Sequence, residues 1–268
     1  MATKIQWAEE TWNPITGCTP VSAGCNRCYA KRMAQRLRGR FGYPQDDPFK
    51  PGTVHEDKMD LPFRWRKPRR VFVSSMGDLF NPGVKFEWIE RVFEVMRKTP
   101  HIYIVLTKRP RDARMFLDPN LRSDTFKSWP FPNVWLGVSV ENQKAANERI
   151  PVLLDTPAAV RFVSCEPLLE PVDITPYVSY TDYCPAHDYG DPGYPPAECS
   201  YCHRVPGIDW VIAGPETGPG ARAMDLDWAR SLRDQCTKAK VPFFYKPGAL
   251  DGEKWEQYPK GDFTCSIT

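Results

Sequence analysis

Six short β-rich apolar runs recur along the chain: RVFVSSM (70–76), HIYIVLT (101–107), NVWLGVSV (133–140), AVRFVSC (159–165), IDWVIAG (208–214) and VPFFYK (241–246). Their starts lie 31, 32, 26, 49 and 33 residues apart, and helix-like stretches fall between most of them, at 87–98, 142–155 and 226–240. A parallel strand pair needs a crossover of a dozen or more residues, usually a helix, and strands buried on both faces read as near-continuous apolar runs. The alternation therefore predicts an α/β fold of βα units. With a first strand around 4–15 it gives six or seven units, a full or partial (βα) barrel forming a single domain over 1–268. The 49-residue interval breaks the rhythm with CPAHDYGDPGYPPAECSYCHR (184–204), an inserted loop over 180–205.

The residues just after each run are polar or chemically special: Gly77-Asp78, Lys108-Arg109, Glu141-Asn142, Glu166, Glu216 and Lys246. In parallel α/β folds the carboxyl ends of the strands form the functional face, so these ends predict one common site. Any one of them alone reads equally as a helix cap or a solvated loop charge.

The cysteines fall into two groups. Within the insert, Cys184-x2-His187 and Cys199-x2-Cys202 supply four N/S ligands, enough to close a tetrahedral zinc shell in a segment with almost no core of its own; His203 is an alternative to His187. Cys18, Cys25 and Cys28 form a C-x6-C-x2-C pattern, with no histidine before His55 and no further cysteine before Cys165. Three thiolates hold a 4Fe–4S cluster by three of its irons and leave the fourth open. A zinc site completed by Cys165, or coincidence, are the alternatives. Cys165 itself reads either as a hydrogen-atom donor facing a radical or as a buried apolar thiol. Cys236 reads as packing.

The net charge of +3 conceals a basic first half, concentrated in 31–40, 64–70 and 108–114 with interleaved aromatics, and a more acidic second half. Such runs suit a polyanionic partner, with Lys108, Arg109 and the 64–70 run as candidate phosphate contacts; a solvated face is the plain alternative. The polar, charged opening MATKIQWAEE and the shortness of every apolar run argue against a secretory leader or a membrane span. A cytoplasmic protein is the expectation, and a reducing compartment makes ligand, reactive or packed thiols more plausible uses of nine cysteines than disulfides.

The ordered motifs Trp12-Asn13-Pro14, Thr16-Gly17-Cys18, Gly24-Cys25-x2-Cys28-Tyr29-Ala30, Met76-Gly77-Asp78-Leu79-Phe80, Leu106-Thr107-Lys108-Arg109-Pro110, NVWLGVSVENQ, EPLL and DWVIAGPETGPGARAM resemble the phage-associated three-cysteine-motif proteins, which look like outlying relatives of radical S-adenosylmethionine (SAM) enzymes. The likeness covers nearly the whole chain. It implies a partial barrel of radical SAM type in which Cys18, Cys25 and Cys28 ligate the cluster and SAM chelates its open iron. Reductive cleavage would then yield methionine and a 5′-deoxyadenosyl radical. By the same resemblance Met76, Gly77 and Asp78 would meet the methionine amino group, and Ser139, Glu141 and Asn142 the ribose hydroxyls or carboxylate. Glu166 and Glu216 are further cofactor candidates, and Lys246 joins Lys108 and Arg109 on the substrate side. The pattern departs from commoner radical SAM spacing: the first gap is six, and Arg27 stands where an aromatic usually precedes the third cysteine. GPETG and KPGA replace the Gly-Gly-Glu-Ser-Gly and Lys-Gln-Trp-Gly usual in relatives.

The leading expectation is a radical SAM enzyme that modifies or repairs a nucleic acid or nucleotide, with an external electron donor and a separately encoded partner protein as its expected partners. A non-catalytic nucleic-acid-binding or partner protein with structural metals is one alternative. A radical SAM enzyme acting on a small metabolite or peptide is another.

Overall fold

The computed structural model describes residues 5–118, 124–178, 181–183, 203–205 and 207–260. Its main sheet has eight strands: β1 (Glu10–Trp12), β2 (Arg70–Val73), β3 (Ile102–Thr107), β4 (Val134–Ser139), β5 (Val160–Cys165), β6 (Trp210–Ala213), β7 (Phe243–Leu250) and β8 (Glu253–Glu256). Their order in the sheet is their order in the sequence. Every neighbouring pair from β1 to β7 is parallel, and β8 returns antiparallel along β7. Such a sheet is wound in one direction throughout, so its crossovers fall on one face.

The crossovers carry five helices of two turns or more: α1 (Tyr29–Arg36), α2 (Phe86–Arg97), α3 (Pro110–Leu117), α4 (Gln143–Leu154) and α5 (Leu226–Ala239). Each shows buried apolar residues at helical spacing; in α2 these are Ile89, Val92, Phe93 and Met96. Those of α2 to α5 pack on Val71, Val73, Val105, Val138, Val163 and Val211 to form the larger core, while Ala30 and Ala34 of α1 belong to a separate small cluster.

Residues that alternate with these point to the other face, where Phe72, Ile104, Trp135, Phe162, Trp210, Ile212 and Phe244 form a second core with Trp7. Ring contacts there show that the sheet curls. The Trp7 ring lies 4.7 Å from Phe72 on β2 and 6.4 Å from Trp210 on β6. In a flat sheet four strand spacings would separate β2 from β6 by roughly 19 Å. Tyr258 closes the same end, 5.5 Å from the rings of both Trp210 and Phe244, with the Arg70 guanidinium 4.4 Å from its own ring centre. Among the described residues no backbone pairing joins the two edges, so the full barrel allowed by the strand count is not seen.

Glycine at position 137 follows from its place opposite Phe162 on the neighbouring strand. A Cβ there would stand 2.4 Å from the Phe162 ring, so the ring occupies the space a side chain would need. The run at 70–76 ends as a strand at Val73 because Ser74 takes a left-handed backbone (φ 52°) and the chain turns. The basic runs 31–40 and 108–114 largely prove to be helical, as α1 and α3.

Two small antiparallel ribbons flank the sheet. Ile15–Thr16 pairs with Thr53–Val54, and Thr181–Tyr183 pairs with His203–Val205 at the two ends of the insert. Cys184, His187, Cys199 and Cys202 lie outside the described residues.

Candidate functional site

The chain leaves β1 directly into the cysteine segment, which is fastened to the end of β2. Asn13 Oδ1 accepts from the Met76 amide at 2.9 Å and from Ser75 Oγ at 3.1 Å, and the Gly17 amide donates to the Met76 carbonyl at 3.0 Å. Gly17 has φ +88°, and a Cβ on it would fall 1.9 Å from the Lys50 carbonyl oxygen, so only glycine fits. Behind it the buried Thr16 hydroxyl meets His55 Nε2 at 2.8 Å.

Cys18, Cys25 and Cys28 follow as free thiols of intermediate exposure, with Cys28 immediately before α1. Cys18 and Cys28 rest on one small cluster made by Ala30, Ala34, Tyr43, Phe49 and Met76. Burial pushes the Cys18 thiol up to about 11, with the nearby Asp78 carboxylate adding to the shift. Among the described residues no three His, Cys, Asp or Glu side chains form a ready-made metal cage.

Strand ends clamp this segment from several sides. After β3, Arg109 Nη2 donates to Thr19 Oγ1 at 2.6 Å and to its carbonyl at 3.2 Å. After β2, Asn81 Nδ2 donates to Thr19 Oγ1 at 3.0 Å and to Cys18 Sγ at 3.7 Å. Gly24 lies against the Glu141 carboxyl and the Lys108 side chain, so closely that a Cβ would be 3.2 Å from Glu141 Cδ. After β6, Arg222 Nη2 donates to the Ala23 carbonyl at 3.1 Å while its Nε holds Glu216 Oε2 at 3.0 Å. Arg32 of α1 reaches the carbonyls of Thr217 and Pro219 at 2.9 and 3.2 Å, and the Tyr29 hydroxyl donates to the Ser75 carbonyl.

A family model described as a protein of unknown function (DUF5131) matches residues 2–260. The chain belongs to that family. Neither the curated proteins nor the solved structures include a match. The matched span takes in the cysteine segment, every strand of the sheet and the residues at their carboxyl ends.

The residues picked from the sequence as cofactor contacts gather at this edge, but several are already engaged. Asp78 is buried and accepts from Thr107 Oγ1 at 2.8 Å, from the Lys108 amide at 3.0 Å and from the Phe80 amide at 3.1 Å. Burial raises its carboxyl above the usual range although those donors work against it. Glu141 pairs with Arg149 at 2.9 Å, both nearly inaccessible, and Arg149 also donates to the Ser139 carbonyl at 2.7 Å. Burial alone would raise Glu141; the guanidinium outweighs it and the carboxyl sits low. Asn142 is a helix cap, its Oδ1 accepting from the Ala145 amide. Glu216 sits low through its bonds to Arg222.

Glu166 and Lys246 form an ion pair at 2.6 Å, and Trp7 Nε1 reaches Glu166 Oε2 at 3.4 Å. Gly214 makes room for it, since a Cβ there would be 3.0 Å from Lys246 Cβ. Of the three residues assigned to substrate, Lys246 is thus paired and Arg109 is a clamp on the cysteine segment. Lys108 extends its side chain to Gly24.

Cys165 belongs to the helix-side core, fully buried, with a thiol that burial pushes far up. Period-two alternation sends Phe162 to the opposite face and Cys165 with Val163 toward the helices. Cys236 is buried there too. The sequence reading passed over Asn81, Arg149 and Arg222, and also over Ser74 and Ser164, whose buried hydroxyls have no partner among the described residues. Asn81 stands just past the block Met76 to Phe80 already singled out. The arginines had no such cue, because nothing in the sequence pairs Arg149 of α4 with Glu141 or carries Arg222 to the Ala23 carbonyl.

Proposed function

We propose that the chain is a radical SAM enzyme acting on a nucleic acid or nucleotide, with a 4Fe–4S cluster on Cys18, Cys25 and Cys28. The observation that carries this reading is one segment bearing three free, half-buried thiols, docked on the carboxyl edge of a singly wound parallel sheet. The donor set suits the group: thiolates are soft ligands of the kind iron–sulfur clusters take, and the segment has no fourth thiol or imidazole to close a zinc shell. The motif order shared with the three-cysteine-motif proteins supports the same reading. When bound, the cluster supplies one electron, taken from an external donor, for reductive cleavage of SAM.

The chain's own residues do the holding and shielding. Arg109 and Arg222 hold backbone carbonyls of the cysteine segment, and Asn81 holds the Thr19 hydroxyl and the Cys18 sulfur. The curled sheet, read as a partial barrel of radical SAM type, places an apolar floor of Trp135, Phe162, Trp210 and Phe244 beneath the strand ends. A floor of that kind keeps bulk water from a reactive intermediate. The unpartnered hydroxyls of Ser74 and Ser164 are available to a polar ligand, as buried groups of this kind need a partner.

The substrate class rests on charge. Lys31, Arg36, Arg38 and Arg40 are exposed on and just past α1, next to the cysteine segment, and Arg64, Arg66 and Lys67 are exposed elsewhere. Such side chains suit phosphates. Zinc in the insert, through Cys184, Cys199, Cys202 and either His187 or His203, rests on ligand spacing, and a cytoplasmic site of action on the reduced thiols the cluster needs.

Anaerobic reconstitution with iron and sulfide, followed by reduction in the presence of SAM, tests the proposal. The expected result is a brown protein that releases 5′-deoxyadenosine, with both properties lost when Cys18, Cys25 and Cys28 are replaced by alanine. A stable cluster that makes no 5′-deoxyadenosine would rule out the chemistry. A colourless protein carrying only zinc would favour a non-catalytic nucleic-acid-binding protein. Oligonucleotide binding that is absent at low salt would shift the substrate to a small metabolite or peptide.

A further inference from the structure

The three thiols are not equivalent. Among the described residues Cys18 is the one whose sulfur receives a side-chain N–H, from Asn81 Nδ2 at 3.7 Å. The orientation of that amide is set by its surroundings. Asn81 is 2% exposed, and its Oδ1 accepts from the Gly83 amide at 3.0 Å, so the nitrogen is the end that faces Thr19 and Cys18. Its backbone is pinned as well, the amide donating to the Asp78 carbonyl and the carbonyl accepting from Val84. Arg109 meets the same Thr19 hydroxyl from the opposite element, so the donor is braced between the ends of β2 and β3.

An N–H directed at a ligating sulfur draws charge off the thiolate and stabilises the reduced, more negative cluster; hydrogen bonds to sulfur are one of the levers by which proteins set cluster potentials. We propose that Asn81 is a positioning residue that donates to the Cys18 thiolate and raises the reduction potential of the cluster, making its Cys18 edge electronically distinct from the Cys25 and Cys28 edges. This rests on the cluster reading above.

The test is a redox titration of the reconstituted full-length protein, followed by visible absorption and electron paramagnetic resonance, with iron content measured alongside. Asn81→Asp keeps the acceptor for the Gly83 amide and nearly the same shape while removing the donor; Asn81→Leu removes both. The expected result is iron content equal to that of the unaltered protein, with a midpoint potential lower in both variants and lowest in Asn81→Asp, where a carboxylate faces the sulfur. Thr19→Val, which cuts the shared contact but keeps the amide beside Cys18, should leave the potential close to that of the unaltered protein. Unchanged potentials in the Asn81 variants, or a fall of equal size in Thr19→Val, would overturn the proposal. If the unaltered protein itself takes up no iron, the cluster reading has failed and this inference goes with it.

Discussion

His55 Nε2 lies 2.8 Å from the Thr16 hydroxyl, and its other nitrogen lies 3.3 Å from the Lys58 ammonium. The ring is 2% exposed and lies tilted against Tyr43, and burial together with Lys58 lowers its pKa from 6.5 to about 4. The imidazole is therefore neutral in the folded state at neutral pH, held against Thr16, which stands two residues before Cys18 along the chain.

A histidine kept neutral by folding binds its proton more readily in the unfolded chain, so its contribution to stability is complete above pH 6.5 and is lost as pH falls toward 4. Urea denaturation across this window should show a loss on the order of 1–3 kcal/mol attributable to His55. His55→Gln, which keeps a donor for Thr16 and cannot protonate, should flatten that part of the profile. An identical pH dependence in the variant would contradict this account.

Gly17→Ala should be costly out of proportion to one methyl group. The left-handed backbone and the 1.9 Å approach to the Lys50 carbonyl leave no place for it. A destabilisation of about 3 kcal/mol or more is expected, because the segment must move away from the Lys50 loop. Denaturation curves read the energy, and iron uptake of whatever remains folded should fall as well.

The Glu141–Arg149 pair should behave as a unit. Arg149→Met leaves a buried carboxylate without its partner, at an expected cost of about 3–5 kcal/mol. The double variant Glu141→Gln with Arg149→Met should recover much of that loss, since the stranded charge is gone. A double-mutant cycle by chemical denaturation checks this, and simple additivity of the two changes would refute it.

Overfilling the second core tests its packing. Gly137→Ala drives a methyl into the Phe162 ring, and a loss of about 1–3 kcal/mol is expected. If the change is tolerated without loss, the ring does not rest on this strand in solution.

Replacing Lys31, Arg36 and Arg40 together by glutamine should weaken oligonucleotide binding at all sequences. The salt dependence of the logarithm of the binding constant should become shallower by about 2–3, near 0.9 for each lost phosphate contact. An unchanged slope would move the polyanion surface elsewhere.

The strands of the sheet were legible because burial on both faces leaves a run of apolar residues that few other structures produce. The ends of those strands were legible as a group and misleading one by one. Asn142 caps a helix, Arg109 clamps Thr19 and Asp78 ties β2 to β3, since side chains at a crowded edge first satisfy neighbouring backbone groups. Alpha-helical residues 29–36 were hidden by their charge, though Ala30 and Ala34, four apart and both buried, carried the signal. Cys165 could have been placed from Phe162 by counting alternate positions along β5. The antiparallel return of β8 was not anticipated, because GALDGEKWE is too polar to announce an edge strand.

The sequential strand order has a consequence for how the molecule assembles. Each of the first seven strands adds to the strand made just before it, so the sheet can grow by one βα unit at a time as the polypeptide is synthesised. Trp7, though made first, meets the Trp210 ring only when that residue arrives near the end. The second core is thus an open trough through most of synthesis, and the last strands act as its closing stave.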